Sequence, residues 1–293
     1  MTSSCHRQDA TTPRCRGILE RQIYRDYCTE ICYAQTMNVF DYNRNAWDAQ
    51  VDKKDRWTIP VTAERIARAR TGDYSVLLTP SKAVPADWLD SIENCDVLGL
   101  ASAGGQQMPL FAAAGAVVTS LDASAKQLGQ DRLVATREGL EIRCEEGDMA
   151  DLSVFADASF DCVFHPVSNC FVKEVAPVWQ EAYRVLRPGG RLLMGACNPI
   201  NFIFDWEELD AGRLKVKYTL PYSDEEDLDA ESQRVLVDSD DPFCFGHTLQ
   251  DLIGGQLAVG FSIKGFYEDN WPAEDKNALA KYSDTFFATW AEK

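Results

Sequence analysis

The stretch Asp96-Val-Leu-Gly-Leu-Ala-Ser-Ala-Gly-Gly105 decides the fold. Its apolar first part, Asp96 to Ala101, predicts a short buried strand. Ser102 to Gln106 are mostly small residues and predict a tight loop. Residues 107–114 have a helical pattern that ends at Gly115. A strand that passes through a small-residue loop into a helix is typical of a nucleotide-type site. The helix N-terminus offers unpaired N–H groups there, and small residues let a ligand approach the backbone.

The same alternation of strand and helix continues along the chain. Further strands are predicted at Ala116–Leu121, Glu141–Cys144, Phe160–Phe164 and Arg191–Ala196, and helices over about 124–138 and 174–186. Arg187-Pro-Gly-Gly190 predicts a turn. Strands joined by single helices indicate parallel βαβ units, so we expect an α/β fold. A helix over about 248–258 and two late strands, at 260–267 and 285–290, follow.

Composition excludes several classes of protein. The 293 residues are 45% hydrophobic and 26% charged, which is typical of a folded globular chain and not of a disordered one. The net charge is −17 and there is no Lys/Arg-rich run, so binding to nucleic acid or to an anionic membrane is not expected. Residues 205–241 hold 13 acidic and four basic side chains, which predicts a solvated acidic segment.

The sequence also favours a cytoplasmic protein. It has no run of 18 apolar residues, and its first ten residues lack the apolar core of a secretory signal. The ten cysteines are scattered through a chain too large to need a disulfide scaffold, and several lie in apolar runs. We expect residues 1–36 to be a peripheral extension. The cysteines there match no standard zinc-finger spacing, so no metal is predicted.

Five motifs between residues 95 and 197 resemble those of class I S-adenosylmethionine-dependent methyltransferases, especially the small-molecule branch. They are Val97–Gly105, Leu121-Asp122, Glu146–Met149, Phe160–Phe164 and Glu181-Ala-Tyr-Arg-Val-Leu-Arg-Pro-Gly-Gly190. The last motif, a helix that runs into R-P-G-G and then a strand, is the most specific of them. The resemblance implies a Rossmann-like, doubly wound seven-stranded sheet whose last strand is antiparallel, with helices on both faces and an inserted acceptor lid.

The resemblance also implies S-adenosylmethionine as the cofactor and S-adenosylhomocysteine as its product. Gly104 and Gly105 would pass beneath the methionine portion, and Asp122 would hold the ribose hydroxyls. Asp148 would accept a hydrogen bond from the adenine amino group while Met149 packs on the ring. The remaining residues that would border the cofactor are Ala101, Ala103, Gln106, Ala123 and His165.

The first motif departs from the family pattern at three positions. The usual acid is Gly99 here, and two usual glycines are Ala101 and Ala103. An alanine keeps such a turn only if its φ stays negative. Gln106 and Gln107 are expected to replace lost polar contacts.

The predicted core spans residues 94–293, and residues 37–93 are expected to supply N-terminal helices that close the pocket. Within them, Asp41–Asp48 resembles the helix that covers the cofactor in many small-molecule members. Arg44 would pair with the cofactor carboxylate and Trp47 would cover it. The alternative is an ordinary amphipathic helix with an exposed arginine. Residues 199–259 would form the acidic lid that supplies the acceptor site.

Methyl transfer is a displacement at a sulfonium, in which the enzyme chiefly aligns acceptor, methyl group and sulfur. A base helps an acceptor that must lose a proton, and His165 and His247 are the two candidates. The residues expected to line the acceptor site are Ser168, Asn169, Tyr222, His247 and Trp271. The acceptor is expected to be a small molecule with a thiol, oxygen or nitrogen nucleophile.

Two alternatives remain open from the sequence. An NAD(P)-dependent oxidoreductase would need G-x-G-x-x-G after the first strand, and Ala101, Ala103 and Gln106 occupy the three glycine positions. A non-catalytic cofactor-binding protein of the same fold is favoured by the departures in the first motif.

Overall fold

The computed structural model describes residues 38–90 and 92–293. The chain divides into two compact units, Met1–Tyr42 and Asn43–Lys293. Of the first unit, only residues 38–42, around the beginning of a helix, are described. The predicted extension at residues 1–36, with its four cysteines, lies outside the described residues.

The second unit alternates strands and helices as the sequence predicts. The helices are α1 Val39–Lys53, α2 Ala63–Ala69, α3 Met108–Ala113, α4 Ala125–Glu138, α5 Ala176–Val185, α6 Trp206–Asp210, α7 Asp224–Asp227, α8 Ala230–Asp238 and α9 Gly255–Val259. The strands are β1 Asp96–Leu100, β2 Val117–Asp122, β3 Ile142–Glu146, β4 Phe160–His165, β5 Leu186–Cys197, β6 Tyr222–Ser223, β7 Phe245–Gly246, β8 Ser262–Asp269 and β9 Phe286–Glu292.

Seven of these strands form one sheet in the order β3-β2-β1-β4-β5-β9-β8. The first five strands are parallel, and β9 is antiparallel to both of its neighbours. The predicted seven-stranded sheet with an antiparallel last strand is therefore confirmed. The strand order reverses between β1 and β4, and ligands bind at the carboxyl edge of such sheets where this reversal occurs. Strands β6 and β7 form a separate two-stranded ribbon.

Both faces of the sheet are covered, because neighbouring residues of a strand point to opposite faces. Phe164 on β4 packs against Phe111 of α3, with ring centroids 5.0 Å apart. The next residue, His165, faces Trp179 of α5 instead, with ring centroids 6.0 Å apart. All four side chains are fully buried. This two-sided burial explains why β4 is a nearly continuous apolar run.

Helix α4 begins and ends where its sequence predicts. The Ser124 hydroxyl accepts a hydrogen bond from the Gln127 amide over 3.0 Å, which caps the helix. Gly139 follows the last turn with φ +64°, in the left-handed conformation that ends many helices. These local signals fix the position of the helix behind β2.

The chain differs from the prediction at Arg187–Gly190, which is not a separate turn. This segment lies within β5, where Gly189 has φ +79° and the register with β4 shifts. The Gly189 amide donates to the Lys293 carbonyl and the Lys293 amide donates to Gly190, each over 2.9 Å. Pairing with this distant residue keeps the segment extended. The predicted helix at 248–258 is present: a π-helical turn at Gln250–Gly254 continues directly into α9.

Within the described ranges, every helix falls short of the length and apolarity that a membrane span requires.

Candidate active site

The loop after β1, Ala101–Gly105, is called the glycine loop below. The Ala101 amide donates to the Leu121 carbonyl over 2.8 Å, which holds the loop against the end of β2. Ala101 has φ +47°, so the condition of a negative φ is not met there. The bond to Leu121 fixes the path of the chain, and alanine therefore adopts the conformation that a glycine would take, at a steric cost.

The two glycines of the loop are required by their conformation and by close approach. Gly104 has φ +102° and Gly105 has φ +72°. A Cβ at position 104 would lie 2.9 Å from the Trp57 carbonyl oxygen, and a Cβ at position 105 would lie 3.0 Å from Pro60 Cβ. Both glycines therefore let the segment 55–61 lie directly on the loop.

Hydrogen bonds fasten this segment, which we call the strap. The Val61 amide donates to the Gly105 carbonyl over 2.8 Å. The Gln106 side-chain amide donates to the carbonyls of Arg56 and Ile59 over 2.8 and 3.1 Å. Gln107 accepts from the Leu77 amide over 3.0 Å. Gln106 thus holds the strap, and its predicted contact with the cofactor stays a prediction.

Asp122 ends β2 beside the glycine loop. Its carboxylate accepts hydrogen bonds from the amides of Ala103 (3.3 Å) and Ser124 (3.0 Å). Burial raises the pKa of Asp122 to about 6, although these amides oppose the shift. Asp48 also raises this pKa through its negative charge. A carboxylate held this way is a suitable acceptor for the two hydroxyls of a ribose.

Helix α1, from Asn43 onward, lies across the carboxyl edge of the sheet. At one end the Asn43 side-chain amide donates to the backbone carbonyls of Phe171 (3.1 Å) and Phe243 (3.0 Å). Trp47 packs edge-on against Phe171, with ring centroids 5.2 Å apart. Further along, Asp48 accepts a hydrogen bond from the Ser124 hydroxyl over 2.6 Å. The helix therefore bridges the turn after β4 and the turn after β2.

The sequence predicted this helix as a cover but missed the residues that fasten it. Asn43 and Asp48 lie on either side of Arg44 and Trp47, to which a role was assigned. Arg44 is half-buried on the same helix, and its pairing with the cofactor stays a prediction. Nothing in the local pattern marks Asn43, because its partners lie 128 and 200 residues away.

His165 is fully buried at the end of β4. Its Nδ1 lies 2.9 Å from the Leu100 carbonyl oxygen and 3.3 Å from the Ser168 hydroxyl. Within the described chain, its Nε2 has no hydrogen-bond partner. Burial lowers the pKa of His165 to about 4, so the ring is neutral at pH 7. Donation from Nδ1–H to Leu100 leaves the lone pair on Nε2.

The other residues predicted for the acceptor site fall into two places. His247 is buried with Nε2 3.0 Å from the Asn169 carbonyl oxygen, and burial lowers its pKa. Asn169 in turn donates to the Gly195 carbonyl over 3.0 Å. Tyr222 stacks on Phe202, in a cluster that also contains Cys170, the residue after Asn169. These side chains meet at the exits of β4 and β5.

Trp271 lies elsewhere, at the strap. Its ring packs edge-on against Phe286 with centroids 4.7 Å apart, and it lies 6.4 Å from the Trp57 ring. The Arg56 guanidinium lies over both tryptophan rings, 4.7 Å from Trp57 and 5.2 Å from Trp271. It also forms an ion pair with Asp275 over 2.9 Å. Trp271 therefore fastens the strap, and its contact with an acceptor stays a prediction.

The predicted adenine region lies after β3. The Asp148 carboxylate accepts from the Ala150 amide over 2.8 Å, which shapes the turn. Met149 is partly buried and packs against the apolar cluster on the α5 face. Ala123 is half-buried between Asp122 and the cap of α4. The predicted contacts of these residues with an adenine stay predictions.

The glycine loop fits the methionine portion of S-adenosylmethionine. The Ser102 hydroxyl and the Gln127 side-chain oxygen are both buried there without a partner in the described chain. Gln127 Oε1 lies 2.9 Å from where a Cβ of Gly104 would be. A buried polar atom without a partner is costly, and a ligand that carries both an ammonium and a carboxylate group satisfies such atoms. No group of three or more metal-ligating side chains in residues 38–90 and 92–293 is arranged to hold a metal ion.

Comparisons with known proteins identify the family. Residues 98–194 match the methyltransferase domain family. The chain is 47% identical over 252 residues to the uncharacterized methyltransferase YbaJ of Bacillus subtilis (strain 168), a match that covers 86% of this chain and 97% of that protein. A solved S-adenosylmethionine-dependent methyltransferase from Mesorhizobium loti has a TM-score of 0.57 at 18% identity, over 71% of this chain and 95% of its own.

A second solved structure, the 1,6-didemethyltoxoflavin-N1-methyltransferase of Burkholderia thailandensis, has a TM-score of 0.52 at 14% identity. It covers 86% of this chain and 88% of its own, and it holds 1,6-didemethyltoxoflavin and S-adenosylhomocysteine. At these identities the two structures show a common fold. Together with the match to YbaJ, they show that the chain belongs to the class I methyltransferases that use S-adenosylmethionine as methyl donor.

Proposed function

We propose that this methyltransferase acts on a small-molecule acceptor, held between the exits of β4 and β5 and the segment 199–246. The observation that carries the proposal is the cover over the carboxyl edge. Helix α1 is fastened by Asn43 at one end and by Asp48 at the other, and the strap lies on the glycine loop. A reaction centre covered on both sides suits an acceptor that is enclosed, in contrast to a nucleic acid or a folded protein.

Charge and comparison support the same class of acceptor. The net charge of −17 opposes binding of nucleic acid, and the surplus of acidic side chains in residues 205–241 favours neutral or cationic acceptors. The Burkholderia enzyme, which shares the fold over 86% of this chain, holds 1,6-didemethyltoxoflavin.

The chemistry we propose is a direct displacement. The acceptor nucleophile forms a bond to the methyl carbon as the bond from that carbon to sulfur breaks, and the acceptor proton passes to a base or to water. His165 is our first candidate for the base, since Nε2 carries a lone pair. Because burial lowers its pKa to about 4, it suits an acceptor with an acidic proton, such as a thiol or a phenol, better than an alcohol.

The conformation of the glycine loop is also relevant to the alternative of a non-catalytic cofactor-binding protein. That alternative was based on the alanines of the first motif, which were expected to alter the loop. Ala101 instead adopts the left-handed conformation of a glycine, so this departure leaves the path of the loop intact. A loop held in this conformation supports cofactor binding, which a catalytic and a non-catalytic protein of this fold share, and the match to the methyltransferase YbaJ favours catalysis.

Two experiments test the proposal. Calorimetric titration with S-adenosylmethionine, S-adenosylhomocysteine and NADH should show binding of the first two only. A methyl-transfer screen over thiols, phenols, amines and carboxylates, read by mass spectrometry, should then give a methylated product that the Asp122→Ala variant does not form. Methylation of protein or nucleic acid with no small-molecule product would contradict the proposal.

A further inference from the structure

Asp131 is a fully buried carboxyl on α4 that the sequence analysis did not single out. Its Oδ1 accepts a hydrogen bond from the Gly105 amide over 2.8 Å, and its Oδ2 pairs with the Ser120 hydroxyl over 2.7 Å. It therefore joins three elements: helix α4, strand β2 and the glycine loop. The contact with Gly105 links residues 26 positions apart.

Burial of this group is costly for the fold. Burial raises the pKa of Asp131 to about 7, as does the negative charge of Asp122, whereas Arg132 and the two hydrogen bonds lower it. On β3, Cys144 faces the same carboxyl, which helps raise the pKa of that thiol to about 11. An apolar side chain at position 131 would avoid the desolvation penalty. A buried acid in this place calls for a specific task.

A departure in the first motif points to a role for Asp131. At position 99, where the family usually has an acid, a Cβ would lie 2.1 Å from the Met108 sulfur, so a side chain there would require Met108 to move. The space beside β1 that an acid would use is filled by Met108. Asp131 on α4 supplies an acceptor oxygen to the Gly105 amide.

We propose that Asp131 is a positioning residue that holds the glycine loop in its cofactor-binding conformation through the Gly105 amide. The inference rests on the proposed cofactor site. It assigns to a residue of α4 the task of holding the loop, which no residue of the first motif performs. Asp131 touches the loop and not the reacting atoms, so its effect reaches the reaction only through the position of the cofactor.

Three variants separate this role from simple packing. Asp131→Asn keeps an oxygen that accepts from the Gly105 amide and an amide that donates to Ser120. Asp131→Leu has similar volume but accepts no hydrogen bond, and Asp131→Ala replaces it if the leucine variant does not fold. Ser120→Ala is the matched control, because it removes the other partner of the same carboxyl and leaves the Gly105 contact in place.

The readouts are the affinity for S-adenosylhomocysteine by calorimetry and hydrogen exchange of the 101–107 amides in the free protein. We expect Asp131→Leu to lose at least about tenfold in affinity and to exchange the Gly105 amide faster. Asp131→Asn and Ser120→Ala should stay within about threefold of the wild type. Unchanged affinity and exchange in folded Asp131→Leu would overturn the inference, as would equal losses in the leucine and asparagine variants. If the wild-type protein binds no S-adenosylhomocysteine, the cofactor site fails, whereas the exchange data still decide whether Asp131 holds the loop.

Discussion

The Ser124 hydroxyl donates to the Asp48 carboxylate over 2.6 Å, which ties the covering helix α1 to the turn that follows Asp122. The same Asp48 oxygen accepts from the Lys126 amide over 3.1 Å. Asp48 therefore supplements the cap of α4 from a residue 76 positions earlier in the chain. The covering helix and the proposed ribose site meet at this turn, so a substitution in one should alter the other.

Removal of Asp48 should weaken cofactor binding. Asp48→Ala loses two hydrogen bonds at the α4 N-terminus. We expect the free energy of S-adenosylhomocysteine binding to become about 1–2 kcal/mol less favourable, which corresponds to about 5- to 30-fold weaker binding. Asp48→Asn keeps the accepting oxygen and should bind nearly as the wild type does. Asp52→Ala is the control, because Asp52 lies on the same helix but forms only an exposed ion pair with Lys126. Equal affinities of the Asp48→Ala and Asp52→Ala variants would contradict a link between Asp48 and cofactor binding.

Cofactor affinity should fall in acid because of Asp122. Its pKa of about 6 lies above the ordinary value of 3.8, and ribose hydroxyls need the ionised form. Below about pH 6 the carboxyl must release a proton on binding, so affinity should decrease by up to tenfold per pH unit. Calorimetry in buffers of different ionisation enthalpy at pH 5.5 should show that proton release. Asp122→Asn should abolish the part of the pH dependence that Asp122 causes.

Asp122→Ala should weaken binding of S-adenosylhomocysteine by about 1.5–3 kcal/mol at neutral pH, the order of a hydrogen bond to a charged group. The same variant should be more stable than the wild type without cofactor at pH 7. The raised pKa means that the contribution of Asp122 to stability is complete below pH 3.8 and is lost as the pH rises through about 6. Thermal unfolding at pH 5 and pH 7 measures this difference. A folded variant with unchanged affinity would contradict the ribose assignment.

Replacement of Ala101 by glycine should stabilise the protein. A left-handed conformation costs an alanine about 1–2 kcal/mol, and the greater chain entropy of glycine offsets about half of the gain, so the expected net effect is about 0.5–1 kcal/mol. Ala103 is not among the residues with positive φ, so Ala103→Gly should instead destabilise. Urea unfolding of both variants measures the two signs. A destabilised Ala101→Gly variant would show that the strain is absent.

His165 has a distinct pH signature in stability. Its pKa of about 4 lies below the ordinary 6.5. As the pH decreases, this histidine therefore binds a proton in the unfolded chain before it does so in the folded protein. Stability should therefore fall as the pH decreases from 6.5 towards 4, by about 3 kcal/mol in total from this group. Denaturant unfolding of the wild type and of His165→Gln across this range measures the contribution, which should be absent in the variant.

The activity of the His165→Gln variant tests its role as a base. If Nε2 accepts the acceptor proton, turnover should fall by at least about tenfold with little change in cofactor affinity. Wild-type turnover should then be flat from pH 6 to 9, because a base with a pKa near 4 is already unprotonated there. His247→Gln is the comparison. Full turnover in both variants would show that neither histidine acts as the base and that the enzyme only aligns the reactants.

The order of elements and the position of Asp122 at the end of β2 could be predicted because their signals are local. Strand β1, the glycine loop and helix α4 are marked by apolar runs, small residues, Ser124 and Gly139 within a few positions of one another. The segment Arg187–Gly190 shows the limit, since its composition predicts a turn while pairing with Lys293 keeps it in β5. A local pattern reports backbone preference, and a distant partner overrides it.

The sequence by itself determined the class of the fold and the position of Asp122 at the end of β2. Periodicity and residue size are enough for these, because they act between neighbours in the chain. Only the tertiary structure decided which residues fasten the cover and the loop. Asn43, Asp48 and Asp131 have partners 26 to 200 positions away. A polar side chain acquires such a role through the neighbours that folding places around it, and no spacing in the sequence records them.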